Sequence, residues 1–181
     1  MSYKWNTRTE LLLGAERMEY LSHCHVLVVG LGGVGAYAAE QICRAGIGHM
    51  TIVDADTVND SNINRQLPAL HSTLGMQKAE VVGQRLLDIN PRLKLTILNE
   101  FLRDERTEEV LSAQKYDFIV DAIDSLSPKA YLLYHAYRRE IPIVSSMGAG
   151  AKIDPSQVKI ADISKTCNCA LAKAERKRLR G

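Results

Sequence analysis

Six residues, Gly30-Leu31-Gly32-Gly33-Val34-Gly35, join a short apolar run, HVLVVG, to a stretch rich in small side chains, AYAAEQICRAG. A strand, a glycine turn and a helix in that order leave few folds open. The first glycine permits a sharp reversal, the second lets backbone approach a phosphate, and the third lets the helix pack onto the strand. The helix start then offers unpaired N–H groups and a positive dipole end to an anion. Asp54 ends the next apolar run, HMTIVD, 19 residues after Gly35, where a carboxylate can hold a ribose hydroxyl. Nucleotide binding is the expectation, and the turn alone accommodates NAD and ATP equally.

The remaining sequence continues the alternation. Residues 8–22 read as a helix interrupted or capped near Gly14, and the 36–46 helix closes at Gly46. MQKAEVVGQRLLDI predicts a helix ending before Pro91, LKLTILN a strand, DERTEEVLSAQ a polar helix, and YDFIVDA a buried strand. A helix is expected from Pro128 with Ser127 as its N-cap, then strands over 141–146 and 158–163, then a helix from about Asn168. The prediction is an α/β, Rossmann-like fold: a mainly parallel sheet with helices on both faces. No repeat or Pro/Gly/Ser-rich linker divides the 181 residues, so one domain over 1–181 is expected.

Composition narrows the setting. No apolar run approaches membrane-spanning length, and MSYKWNTRTE carries no apolar signal region after its charges. The four cysteines, Cys24, Cys43, Cys167 and Cys169, include no C-x-x-C pair, which excludes a tetrathiolate zinc site built from neighbouring pairs. They read as ordinary thiols in a reducing, cytoplasmic chain. Residues 172–181 carry a local charge of +4 against a net +2, so the body is mildly acidic at −2. Lys173, Arg176, Lys177 and Arg180 fall on one helical face. That stripe is either a solvated surface or a footprint for nucleic-acid phosphates.

The segment Asp56 to Gln66 leaves the carboxyl edge of the sheet, where ligands bind in such folds, and at 18 residues its connection is long for a βα loop. Arg65 is the only cation between Arg44 and Lys78, and its guanidinium suits bidentate contact with phosphate. Lys78 sits in the first turn of a helix, a placement that a bound polyphosphate would favour. Asp121 and Asp124 end the FIVDAID strand, and Asp124 is a candidate magnesium ligand beside phosphates. Asp56, Asn62 and Gln66 complete the candidate nucleotide-binding set. A hydride-transfer enzyme has no use for a phosphate arginine, a phosphate lysine and a metal carboxylate together. Attack of a carboxylate on an α-phosphate does.

GLGGVG, D-x-D, NINRQ, the GMQK turn and DAIDS together resemble the ThiF/MoeB superfamily, related to ubiquitin-activating enzymes. RTELLLG, NINRQLPALHSTLG and IDPSQVKIADISKT resemble in particular its bacterial tRNA threonylcarbamoyladenosine dehydratases. The resemblance implies ATP-dependent, magnesium-supported adenylation of the threonylcarbamoyl carboxylate on a tRNA adenosine, followed by ring closure and loss of AMP. By position it implies that Gly30, Gly32, Gly33 and Gly35 cradle the nucleotide and Asp54 holds the ribose. Asn62, Arg65 and Lys78 would face phosphates, and Asp124 would support magnesium and catalysis. It further implies a homodimer in which Arg8 reaches the neighbouring ATP site. Members of that subfamily continue past the position of Gly181 into a segment with an activity-linked cysteine, and none of the four cysteines here matches it. The competing expectations are adenylation of a small carrier protein's C-terminus, NAD-dependent oxidation, and a dimeric ATP-binding module without turnover.

Overall fold

Every residue of β1 (His25–Val29) is buried, as a strand must be when both faces of its sheet are covered. In the computed structural model, which describes residues 4–179, β1 is the centre of a five-stranded sheet. The other strands are β2 (His49–Val53), β3 (Lys94–Leu98), β4 (Phe118–Asp121) and β5 (Ile143–Ser145), all parallel in the order β3-β2-β1-β4-β5. Helices α1 (Thr7–Leu13) and α2 (Ala15–His23) precede the sheet, with Gly14 at their junction. Helices α3 (Gly35–Ala45), α4 (Lys78–Ile89), α5 (Asp104–Ala113) and α6 (Leu126–Arg138) are the crossovers, and α7 (Ala170–Arg178) follows the last strand.

The period-two alternation of β1 feeds two cores. Val26 and Val28 pack with Ala36, Ala39 and Cys43 of α3 and Val82 and Leu86 of α4. Leu27 and Val29 point to the other face, against Val110 and Leu111 of α5 and Leu132 and Ala136 of α6. The two helices of the first face are also tied by charge. Glu40 accepts from Arg85 Nε at 2.5 Å and from Arg44 Nε at 2.8 Å. The Arg85 hydrogen bond chiefly holds its carboxyl below the usual carboxylate range, against the opposing effect of burial.

Two expectations fail. The helix expected from Pro128 begins at Leu126 with Ser125 at its N-cap position, and Ser127 lies inside its first turn. Proline is tolerated in a first turn because the N–H it lacks has no partner there. Ser127 Oγ instead accepts from Arg178 Nη1 of α7 at 2.9 Å. No strand forms over 158–163: Val158 and Ile160 stand 80% and 98% exposed, and Ile163–Lys165 is a 3-10 turn. Alternation makes a strand only where an edge is available to pair with. Here Asp154 and Asp162 accept the N–H groups of Ser156 and Ser164, and these local turns break the extension on either side.

Candidate nucleotide site at the sheet crossover

After β3 the chain crosses back over β1 to place β4 on its far side, so the direction of strand order reverses between β1 and β4. Side chains and backbone at the carboxyl ends of these two strands border the crevice where such sheets hold ligands. The glycine turn leaves β1 there and the Asp121–Ser125 segment leaves β4.

The four glycines divide by what surrounds them. Gly30 has φ +88°, and a Cβ on it would lie 2.7 Å from the carbonyl oxygen of Ala122. A Cβ on Gly35 would overlap the carbonyl oxygen of Gly30. These two are required by the close approach of turn, helix and β4. Gly32 and Gly33 have room: their nearest neighbours would be Gln66 Nε2 at 3.6 Å and the Arg65 backbone oxygen at 3.5 Å. The α3 helix start, at Val34, has no side-chain cap, so its N–H groups remain for an anion.

Arg65 and Gln66 thus lie across from the two glycines that have space. Arg65 is exposed, and its Nη1 donates to the Ser61 carbonyl and Asn64 Oδ1, both at 2.8 Å. Among the described residues Gln66 Oε1, which is buried, has no hydrogen-bond partner. Asn62 Oδ1 accepts the Asn59 N–H at 3.1 Å, closing a turn cap over Asp60–Asn62. Asp54 accepts from Leu31 N at 2.6 Å and Asp56 N at 2.8 Å, fastening the glycine turn to the end of β2. Burial pushes its carboxyl up; the two N–H bonds and the Lys78 charge oppose that shift. A carboxylate offers about four lone-pair positions, so two remain for hydroxyl donors.

Lys78 is almost fully buried rather than reaching freely into the crevice. Its Nζ pairs with Asp56 Oδ2 at 2.8 Å, and its own N–H donates to the Asp56 carbonyl. The pair opens α4, whose start also lacks a side-chain cap. Asp124 is exposed. It follows Ile123, whose N–H donates to Asp121 Oδ1 at 3.0 Å and whose carbonyl accepts from Lys129 Nζ at 2.8 Å. Asp121 and Lys129 are themselves fully buried and paired at 2.7 Å, with Ser145 Oγ of β5 donating to the same carboxylate oxygen at 2.6 Å. Sequence reading missed Lys129, because one lysine in an amphipathic helix reads as surface.

Arg8 lies on the exposed surface of α1, a helix with no buried residue, beside Leu11 and Leu12 at 75% and 80% exposure. Lys173, Arg176 and Lys177 line an open groove with Ala170 and Ala174 on α7, while Arg180 lies outside the described residues. Arg176 Nη1 donates to Thr166 Oγ1, so it is folded back rather than extended. Among the described residues no group of three or more His, Cys, Asp or Glu is arranged to hold a metal, and no helix is long and apolar enough to cross a membrane.

A parallel 3-2-1-4-5 sheet with a glycine turn at its crossover defines the nucleotide-binding α/β class, with arginine, lysine and carboxylates added around the turn. The chain belongs to the ThiF family, whose model matches residues 3–180. It is 39% identical to the tRNA threonylcarbamoyladenosine dehydratase of Escherichia coli (strain K12) over 99% of this chain and 68% of that protein. The dehydratase of Bacillus subtilis (strain 168) is 42% identical over 96% of this chain and 68% of its own length. The crystal structure of the E. coli tRNA N6-threonylcarbamoyladenosine dehydratase in complex with ATP superimposes with a TM-score of 0.95 at 38% identity, covering 98% of this chain and 72% of that one.

Proposed function

We propose that this chain is an ATP-dependent dehydratase that cyclises N6-threonylcarbamoyladenosine in tRNA through an acyl-adenylate, working in the cytoplasm. The observation that carries the reading is likeness over nearly the whole chain, in sequence and in fold, to an enzyme of that name crystallised with ATP.

The residues described above suit the chemistry. Gly32 and Gly33 and the open start of α3 would receive the phosphates, and Asp54 would accept ribose hydroxyls. Arg65 would close over the phosphates from the opposite side, assisted by Asn62 and Gln66. Lys78 would exchange its Asp56 partner for phosphate oxygen. These cations lower the cost of the charge that gathers on the departing pyrophosphate when the threonylcarbamoyl carboxylate attacks the α-phosphate. An intramolecular nucleophile then closes the ring and AMP leaves.

Magnesium fits this donor set in one way. A single exposed carboxylate, Asp124, cannot cage the ion, but one or two carboxylates plus substrate phosphates are its usual ligands. Asp124 would hold magnesium on the nucleotide, and the ion would supply further charge neutralisation there. The exposed leucines of α1 suit a homodimer interface that carries Arg8 into the neighbouring site. The basic face of α7 (Lys173, Arg176, Lys177, with Arg180 beyond the described residues) suits tRNA phosphates. The single-domain reading of 1–181 rests on the two cores being shared by one sheet.

The test is nucleoside mass analysis of threonylcarbamoyladenosine-bearing tRNA after incubation with the chain, ATP and magnesium. ATP-dependent loss of one water is expected. ATP binding without mass change would favour a non-catalytic dimer, and labelling of a glycine-ended carrier protein would favour the carrier-adenylating alternative. The dimer has its own test, in which inactive Arg8→Ala and Asp124→Ala subunits are mixed. Roughly a quarter of wild-type activity should return, since half of randomly mixed dimers regain one of two sites. No recovery would place Arg8 in its own subunit's site.

A further inference from the structure

Glu175, on α7, has no exposed surface, and among the described residues neither carboxylate oxygen has a hydrogen-bond partner. A buried carboxylate in that condition is costly unless a cation or a proton compensates it. The charged groups around it are Lys129 from α6, Asp121 from β4 and Arg178 from its own helix. Arg178 is already bound to Ser127 at the start of α6. Lys129 carries three N–H donors; one serves Asp121 and another the Ile123 carbonyl, at 2.7 and 2.8 Å. The Lys129 ammonium is thus bonded to one buried carboxylate, Asp121, and to the carbonyl just before Asp124, while Glu175 feels its charge without a hydrogen bond to it.

We propose that Glu175 is a positioning residue: acting through Lys129, it sets how firmly the Ile123–Asp124 turn is held. Neutral Glu175 leaves Lys129 committed to Asp121 and to the Ile123 carbonyl, and the turn is tight. Ionised Glu175 competes for the same ammonium, draws it toward α7 and weakens its bond to Ile123. The proposal deepens the reading of Asp124 as a catalytic group, on which its functional meaning rests.

Burial pushes the Glu175 carboxyl up to about 7; Lys129 and Arg178 counter that rise and Asp121 adds to it. A carboxyl that binds its proton more tightly when α7 is docked favours docking most below its ordinary value, 4.5. That advantage is lost as pH rises toward 7 and is absent above it. α7 docking therefore weakens as pH rises from 4.5 toward 7, and the hold on the Asp124 turn loosens as Glu175 ionises about 7.

Backbone hydrogen exchange of residues 122–126 in the nucleotide-free protein, corrected for intrinsic rates, tests this without reference to catalysis. Wild-type protection should fall about fivefold between pH 6 and pH 8.5, the opening expected when one hydrogen bond of a turn is lost. Glu175→Gln, which keeps the shape of the neutral acid, should show the pH 6 protection at both values. Glu175→Leu should also remove the pH dependence if the glutamine variant folds poorly. Protection that does not change with pH in the wild type, or that changes equally in Glu175→Gln, overturns the proposal. Because no substrate is present, such a failure is distinct from failure of the dehydratase reading, which the tRNA assay decides.

Discussion

Asp124→Ala should lose ATP-dependent turnover by roughly 10²- to 10³-fold, the loss seen when a preorganised electrostatic group is removed from a reaction centre, while the protein melts within about 2 °C of wild type. Asp124 is exposed, and the turn around it is held through Ile123, Asp121 and Lys129 rather than through its own carboxylate. Exposed substitutions away from such anchors move stability by about 0.5 kcal/mol or less. Arg65→Ala should behave the same way, since its guanidinium is anchored, among the described residues, only within its own loop, to Ser61 and Asn64. The measurement is turnover on modified tRNA beside a thermal melt. Activity within a few fold of wild type in either variant would remove that residue from the site.

Gly35→Ala should cost about 3 kcal/mol of folding stability or more, because backbone rather than a flexible side chain stands where the methyl must go. That methyl would overlap the Gly30 carbonyl oxygen and lie 3.0 Å from the Ala122 side chain. Relief requires α3 to move off β1 and β4, which opens the core shared by Ala36, Val28 and Val120. Gly32→Ala is the contrasting case. Its methyl would meet the Gln66 side chain at ordinary distance, 3.6 Å and beyond, so stability should change by less than about 1 kcal/mol. It would, however, occupy space over the turn that the nucleotide is expected to use, so ATP affinity should fall. Denaturant melts and ATP titration of the pair separate the two roles. Equal stability loss in both would contradict the division.

Legibility in the sequence followed the physics of each feature. β1, β2 and β4 were readable because strands buried on both faces leave unbroken apolar runs, and α3 because Gly46 closes it in a left-handed conformation. The glycine turn and Asp54 were readable because spacing alone brings them together across neighbouring parallel strands. The 158–163 segment was misread because apolar alternation says nothing about whether an edge is free to pair. The α6 start was displaced because proline is as acceptable at the third helical position as at the first. Asp56 was expected on the nucleotide but also holds Lys78, and Lys129 and Glu175 were invisible. Ion pairs that depend on tertiary packing leave no period in the sequence, and a glutamate set in a basic run reads as solvent-facing.

The order of the strands has a consequence for how the chain comes to exist. β1 registers with β2 about two dozen residues downstream, but Val26 pairs with Phe118, and the His25 N–H reaches an Asp117 carboxylate 92 residues away. The first contact closes early and at little entropic cost; the second must wait for most of the chain. Residues 25–98 can assemble three strands and their two crossovers into half a sheet that already displays the glycine turn. One wall of the crevice is still missing at that stage. The crevice between β1 and β4 therefore gains its second wall only after β4 has been made, and a ligand that needs both walls stabilises only chains whose two halves have joined.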